Sequence, residues 1–227
     1  MKFKEFIREL NGENAEGELI KTSFISLCTS LVLLGILYFF FLRGMDNLIP
    51  KYGFYLLFAS ISYAMIIPSI RHIRAYANFP CMSGMMIGMT IGMISGFLPG
   101  FFVGATNGMF YGSIFGIAVG TTFGAWNGKC CGIMGIMEGI MAGFMGGLMG
   151  AMTSIMMLND HIKIAGIIVF VISSVILFGL NFMIYTETRE SERKRKEDHF
   201  STFALSFILT GLTLLIMLFG PRSVLFQ

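Results

Sequence analysis

The fold is decided by residues 81–158, CMSGMMIGMTIGMISGFLPGFFVGATNGMFYGSIFGIAVGTTFGAWNGKCCGIMGIMEGIMAGFMGGLMGAMTSIMML, in which glycine recurs at every fourth position. The row begins at Gly84 and holds its phase to Gly132. It then slips by one place and continues from Gly135 to Gly147. Such spacing is typical of helices that pack closely through small residues inside a membrane. We therefore expect a glycine zipper at the centre of the molecule.

Turn signals divide this segment into three predicted helices, Cys81–Leu98, Phe101–Ala125 and Cys130–Leu158. Pro99-Gly100 predicts the first turn, and Trp126-Asn127-Gly128-Lys129 predicts the second. Side chains are absent from the glycine faces, so the helix backbones are expected to touch. Association in lipid depends on such van der Waals contact, because the hydrophobic effect supplies little drive there.

Composition places the whole chain in a membrane. It has 227 residues, of which 55% are hydrophobic and 13% are charged, and its mean hydropathy is +0.76. A soluble domain carries about twice that share of charged residues, roughly a quarter. The predicted fold class is an all-α integral membrane protein with about seven transmembrane helices, since uncharged runs of this length suit spans. Outside the central three, these runs are Thr22–Leu42, Tyr52–Ile70, Ile164–Thr186 and Ser201–Pro221.

The predicted organisation has four parts. Residues 1–21 form an amphipathic N-terminal segment, with apolar residues at helical spacing among charges. Residues 22–80 hold two transmembrane helices, and 81–158 form the Gly/Met-rich three-helix membrane unit. Residues 159–227 hold two further transmembrane helices joined by a basic loop.

The distribution of Lys and Arg predicts orientation in the lipid bilayer. With the N-terminus inside, the inner segments carry twelve of these residues and the outer segments four. The positive-inside rule then favours an inner N-terminus and an outer C-terminus, with the plasma membrane as the expected location. The basic cluster Arg189–Lys196 is expected to lie at the inner, anionic surface.

Soft ligands concentrate in the central unit, which holds fourteen of the 19 methionines and three of the four cysteines. Thioethers and thiolates favour Cu(I) and similar ions over hard cations. On the third helix of the unit, a thiol, thioethers and a carboxylate share one stripe, with spacings of three and four residues. The predicted soft-metal ligands are Cys81, Met85, Met89, Met93, Cys130, Cys131, Met134, Glu138, Met141 and Met145.

Each of these residues also has a structural interpretation. Methionine fills irregular space in packed cores, and adjacent cysteines are often buried and inert. Glu138 is the stronger functional candidate, because an ionisable group inside a span is costly. A protonated carboxyl that hydrogen-bonds a neighbouring helix is its structural alternative.

The MxxxM spacing of Met85, Met89 and Met93, together with the GxxxG helices, resembles the eukaryotic high-affinity copper transporters. The resemblance covers only these short patterns. It implies that the three methionines contact a soft metal ion and that the glycines pack a helix of an oligomer. No overall family is identified from the sequence.

Three functions are compatible with these patterns. The first is transport or handling of a soft metal ion, most simply Cu(I), supplied or received by a cytoplasmic thiol metal chaperone. The second is a non-catalytic glycine-zipper subunit that mediates packing or assembly, as a homo-oligomer or with other membrane subunits. The third is a proton-coupled carrier of a small solute, centred on Glu138. Nucleotide-binding motifs are missing from the sequence, so we expect neither an enzyme nor a pump, and nucleic acid is not an expected partner.

Overall fold

The computed structural model describes residues 15–37, 48–75, 80–158, 160–188 and 199–220. Within these ranges every regular element is a helix. A short 3-10 turn, Lys129–Cys131, joins the fourth and fifth α-helices. The α-helices are α1 Ala15–Leu37, α2 Leu48–Ala75, α3 Cys81–Asn107, α4 Met109–Gly128, α5 Gly132–Met156, α6 Ile162–Thr188 and α7 His199–Phe219.

By length and composition, the described residues contain four apolar helical stretches able to cross a membrane. They are Tyr52–Arg74, Cys81–Asn107, Met109–Met156 and Ile162–Glu187. The third stretch contains both α4 and α5, which fold back on each other at the 3-10 turn. Shorter apolar helical stretches occur in α1 and α7. The four long apolar stretches indicate a membrane-embedded helical protein.

The prediction of a turn at Pro99-Gly100 is wrong. Helix α3 continues through both residues to Asn107, and the chain reverses at Gly108 instead. Gly108 has φ 94° and ψ 170°, a conformation that glycine adopts without steric cost. Pro99 is buried within the helix, where close neighbours can compensate for its missing N–H. The amide of Asn107 secures the end of α3 by donating to the Ile216 carbonyl oxygen of α7 at 2.9 Å.

The second turn lies a few residues later than predicted. Helix α4 ends at Gly128 rather than at Ala125, and the turn contains Lys129, Cys130 and Cys131. Helix α5 then begins at Gly132, which has φ 70°. The two glycine-centred reversals place α3 and α5 parallel to each other and antiparallel to α4.

Glycines from α3, α4 and α5 meet in successive layers across this unit. In one layer, a Cβ atom placed on Gly92 would lie 2.7 Å from the Gly139 carbonyl oxygen and 3.2 Å from the Gly124 Cα atom. A Cβ atom on Gly124 would clash directly with Gly139, and one on Gly139 with Gly124. The backbones therefore touch without side chains between them. Equivalent layers are Gly88–Gly128–Gly135, Gly96–Gly120–Gly143 and Gly100–Gly116–Gly147.

A second small-residue row on α5 contacts α3. Cβ atoms placed on Gly146 and Gly150 would collide with the carbonyl oxygens of Met93 and Phe97. The opposite side of α3 carries large side chains instead, and there α2, α6 and α7 pack against it. Phe101 is fully buried in that second contact region. Helix α3 thus joins the glycine-packed unit to the outer helices.

Two sequence predictions fall outside the described residues. The amphipathic segment 1–21 is described only from residue 15, and the basic cluster Arg189–Lys196 is not described. Their predicted roles at the membrane surface stay predictions.

Replacing Gly124 by alanine should destabilise the protein by about 1–3 kcal/mol, the usual cost of overpacking a close contact. The added methyl group would meet the Gly139 backbone, which has no flexible side chain that could move away. Thermal unfolding of the purified protein in detergent measures the effect.

Gly179→Ala is the matched control, because nothing lies within 4 Å of a Cβ atom at that helical position. It should leave stability unchanged or raise it slightly, since alanine favours helix. Equal stability for the two variants would show that the glycine layers tolerate side chains.

Candidate functional site

The predicted stripe on α5 lies on the outside of the molecule. Met134 is 67% exposed and Met141 is 65% exposed, and both Glu138 and Met145 are also exposed. The buried face of α5 consists of glycine, alanine and serine, turned toward α3 and α4. Within one chain, therefore, the thioethers and the carboxylate do not surround an internal path. They form an outward surface of a helix whose opposite side is fixed by backbone contacts.

The methionines predicted on α3 also lie near the surface. Met89 and Met93 are exposed, and Met85 is half-buried. Each of them follows a glycine of the packed row by one position, so they stand at the edge of the contact between helices. The backbone of Met93 packs against Gly146 of α5 while its side chain points outward.

The structure brings the three predicted cysteines together at one end of the central unit. Cys81 begins α3, and Cys130 and Cys131 lie in the turn between α4 and α5. The Cys131 thiol lies 2.7 Å from the Cys81 carbonyl oxygen, to which it donates. The Cys130 thiol donates to the Asn127 carbonyl oxygen at 3.1 Å. All three are free thiols.

Gly84 makes room for this cluster. A Cβ atom placed there would lie 2.7 Å from the Cys131 sulfur and 3.0 Å from the Cys130 sulfur. The first glycine of the row thus continues the packing pattern, with thiols taking the place of a facing backbone. Cys81 and Cys131 are 50 residues apart in sequence, and the antiparallel course of α3 and α4 brings them together.

The ten predicted ligands fall into three separate groups, namely the thiol cluster, the edge of α3 and the outer face of α5. In the part of the chain that the structure describes, no group of three His, Cys, Asp or Glu side chains could hold a metal ion. Methionine thioethers are a further kind of soft ligand. Metal binding by these residues stays a prediction.

A buried polar cluster between α2 and α6 was not predicted from the sequence. Asn181 donates to the Ser69 hydroxyl oxygen at 3.1 Å, and the hydroxyl donates to the Met65 carbonyl oxygen at 3.2 Å. One turn further along each helix lie His72 and Tyr185, which are 4% and 3% exposed. The positions of Ser69 and Asn181 inside apolar runs were a usable signal, since polar side chains in spans tend to face the bundle interior.

His72 belongs to a helix rather than to a loop. It lies within α2, three residues before the helix ends at Ala75. The helix includes both flanking arginines, Arg71 and Arg74. The Arg74 guanidinium lies 4.2 Å from the centroid of the Trp126 ring on α4, a cation–π contact that keeps this helix end in place.

The same end of the molecule carries a contact between α3 and α6. Ser83 donates to the Glu187 carboxylate at 2.6 Å. Together with the thiols and the Arg74–Trp126 contact, it makes this end of the bundle rich in polar groups. The glycine-packed middle of α3–α5 carries none that bridges the three helices.

Comparison with known proteins gives no family for the chain. No family model matches it, and neither a curated protein nor a solved structure shows significant similarity to it. The resemblance of its short Met and Gly patterns to copper transporters accordingly stays a prediction.

Proposed function

We propose that this protein is a non-catalytic membrane subunit that assembles with another membrane helix through the outer face of α5. The observation that carries the proposal is the position of Glu138, exposed on a helix whose other side is packed by glycine. An ionised side chain that faces hydrocarbon at the bilayer centre costs about 3 kcal/mol on insertion scales. Contact with a polar or charged group of a neighbouring helix would remove that cost.

The methionines around Glu138 support the same role. Methionine side chains are flexible and polarisable, and they are common at surfaces that adapt to a partner. Glycine packing fixes the axis and rotation of α5, so the methionine face is presented in one orientation. A rigid face loses less conformational entropy on binding than a mobile one does.

The proposed topology has seven spans, with the N-terminus inside and the C-terminus outside. The alternation of α1 to α7 along the chain supports it, as does the excess of Lys and Arg in the predicted inner segments. In this orientation, Cys81, Cys130 and Cys131 lie at the inner surface. Thiols stay reduced in the cytosol.

A second candidate function is handling of a soft metal ion such as Cu(I). Two observations favour this candidate. The three cysteines converge at one end of the central unit, and thioethers extend from that end along α5. The exposure of the α5 stripe means that an ion moving along it would need a second helix to enclose it. A carrier centred on Glu138 has the same requirement.

The assembly proposal is tested with a photo-reactive phenylalanine analogue placed at Met141 in native membranes. We expect a protein adduct on irradiation, because another helix covers this face. Val175 on α6, which is 67% exposed, is the control position and should yield lipid adducts. Lipid adducts alone at Met141 would contradict the proposal.

The topology is tested with a reporter fused after Gln227. It should be found on the outer side of the membrane, as seven spans from an inner N-terminus require. A reporter read from the cytoplasmic side would show an even number of spans or the opposite orientation.

The metal candidate predicts bound Cu(I) or Ag(I) in protein purified under reducing conditions. Met141→Leu should weaken Ag(I) binding by about tenfold while leaving thermal stability unchanged, because leucine and methionine exchange at little cost in packing. Met183→Leu on α6 is the matched control and should bind as wild type. Metal-free protein together with a silent Met141→Leu variant would exclude this candidate.

A further inference from the structure

The three cysteines of the central unit differ in the direction of their hydrogen bonds. The Cys130 thiol donates within its own turn, to the Asn127 carbonyl oxygen at 3.1 Å. The Cys131 thiol instead donates across to α3, to the Cys81 carbonyl oxygen at 2.7 Å. The Cys81 side chain is also within hydrogen-bonding reach of the Cys131 thiol. Cys81 and Cys131 are therefore two thiols that meet from separate elements of the fold.

Glycine packing holds these two thiols next to each other. A Cβ atom placed on Gly84 would lie 2.7 Å from the Cys131 sulfur, so the space beside α3 that this sulfur fills exists because residue 84 has no side chain. One turn further along α3, a Cβ atom on Gly88 would lie 3.0 Å from the Gly128 Cα atom. The start of α3 and the end of α4 are thus fixed by backbone contact. Two groups held in this way react with a high effective concentration.

We propose that Cys81 and Cys131 are a reversible redox pair, whose disulfide bond links the start of α3 to the turn between α4 and α5. The proposal goes beyond the assembly function and does not depend on what covers α5. A bond between Cys130 and Cys131 is disfavoured by geometry. Consecutive Cα atoms are about 3.8 Å apart, whereas the Cα atoms of disulfide partners are usually about 4.4–6.8 Å apart.

The oxidant is a small-molecule disulfide such as oxidised glutathione. The side chain of Cys81 is exposed and that of Cys131 is partly exposed, so the oxidant reaches Cys81 first. The Cys81 thiolate attacks one sulfur atom of the oxidant, which breaks the S–S bond and releases one reduced thiol. Cys131 then attacks the mixed disulfide, forms the Cys81–Cys131 bond and releases the second thiol. The two cysteine protons end on the two released thiols, so one disulfide is reduced as the pair is oxidised.

The reverse reaction makes the pair a switch. In the proposed topology the cysteines face the cytosol, where disulfides are transient and often serve redox sensing. The bond joins residues that are 50 positions apart, so it restricts the unfolded chain. The oxidised protein is therefore expected to unfold at a higher temperature than the reduced protein.

The proposal is tested on full-length protein in lipid nanodiscs, equilibrated with oxidised glutathione, quenched with acid and alkylated. Two of the four thiols should be lost from the wild type, and peptide mapping by mass spectrometry should find Cys81 joined to Cys131. Reduced glutathione should restore both thiols. The midpoint of thermal unfolding should rise by roughly 5 °C or more on oxidation.

Cys131→Ser is the informative variant, because a serine hydroxyl group can still donate to the Cys81 carbonyl oxygen and so preserve the fold. It should form no internal cross-link, should carry glutathione on Cys81 and should show no rise in the midpoint. Cys28→Ser, which changes the cysteine on α1, is the matched control and should behave as wild type. A wild-type disulfide that involves Cys130 or a second chain would overturn the proposal. Four thiols that take up glutathione only as mixed disulfides would overturn it as well.

Discussion

Direct backbone contact among three helices is the constraint on which the rest of the structure depends. Gly124 and Gly139 each occupy the space where the other's Cβ atom would stand, and the layers above and below repeat this arrangement. Such close approach allows Cα–H groups to contact carbonyl oxygens, and it multiplies dispersion contacts that are individually small. It also closes the interior of the α3–α5 unit, so that no side chain of functional chemistry lies there. Chemistry in this unit is therefore confined to its ends and its outer face.

The glycine pattern indicated which faces of the three helices pack. Glycines at every fourth position line one face of a helix, and in a membrane they let a neighbouring backbone approach that face closely. The convergence of Cys81 with Cys131 was also predictable, since an up–down–up order of helices returns the chain to the same end. The position of the first turn was not. Pro99-Gly100 is a strong turn signal in water, but Asn107-Gly108 is also one, and local sequence does not say which of the two glycines must adopt a positive φ.

The buried cluster of Ser69 and Asn181 was missed for a different reason. Its members come from two helices that are distant in sequence, and nothing in either helix alone indicates its partner. Hydropathy treats Ser69 and Asn181 as weak interruptions of apolar runs, and it treats His72 beside two arginines as part of a loop. Contacts between α2 and α6 depend on how both pack around α3. The packing of α2 and α6 around α3 depends on large side chains such as Phe101, and not on a short repeat in the sequence.

The fixed orientation of α5 links the packing to the proposed assembly. A helix held by large, flexible side chains can rotate about its axis by exchanging rotamers, and its outer residues then move relative to a partner. Helix α5 has no such freedom, because a small rotation would bring the backbones of Gly143 and Gly120 into collision. The outer face of α5 is consequently presented with Glu138 at a defined angle about the helix axis. That face is ordered during folding, which would lower the entropic cost of the proposed assembly. The glycine row on one face thus fixes the orientation in which the opposite face would meet the proposed partner.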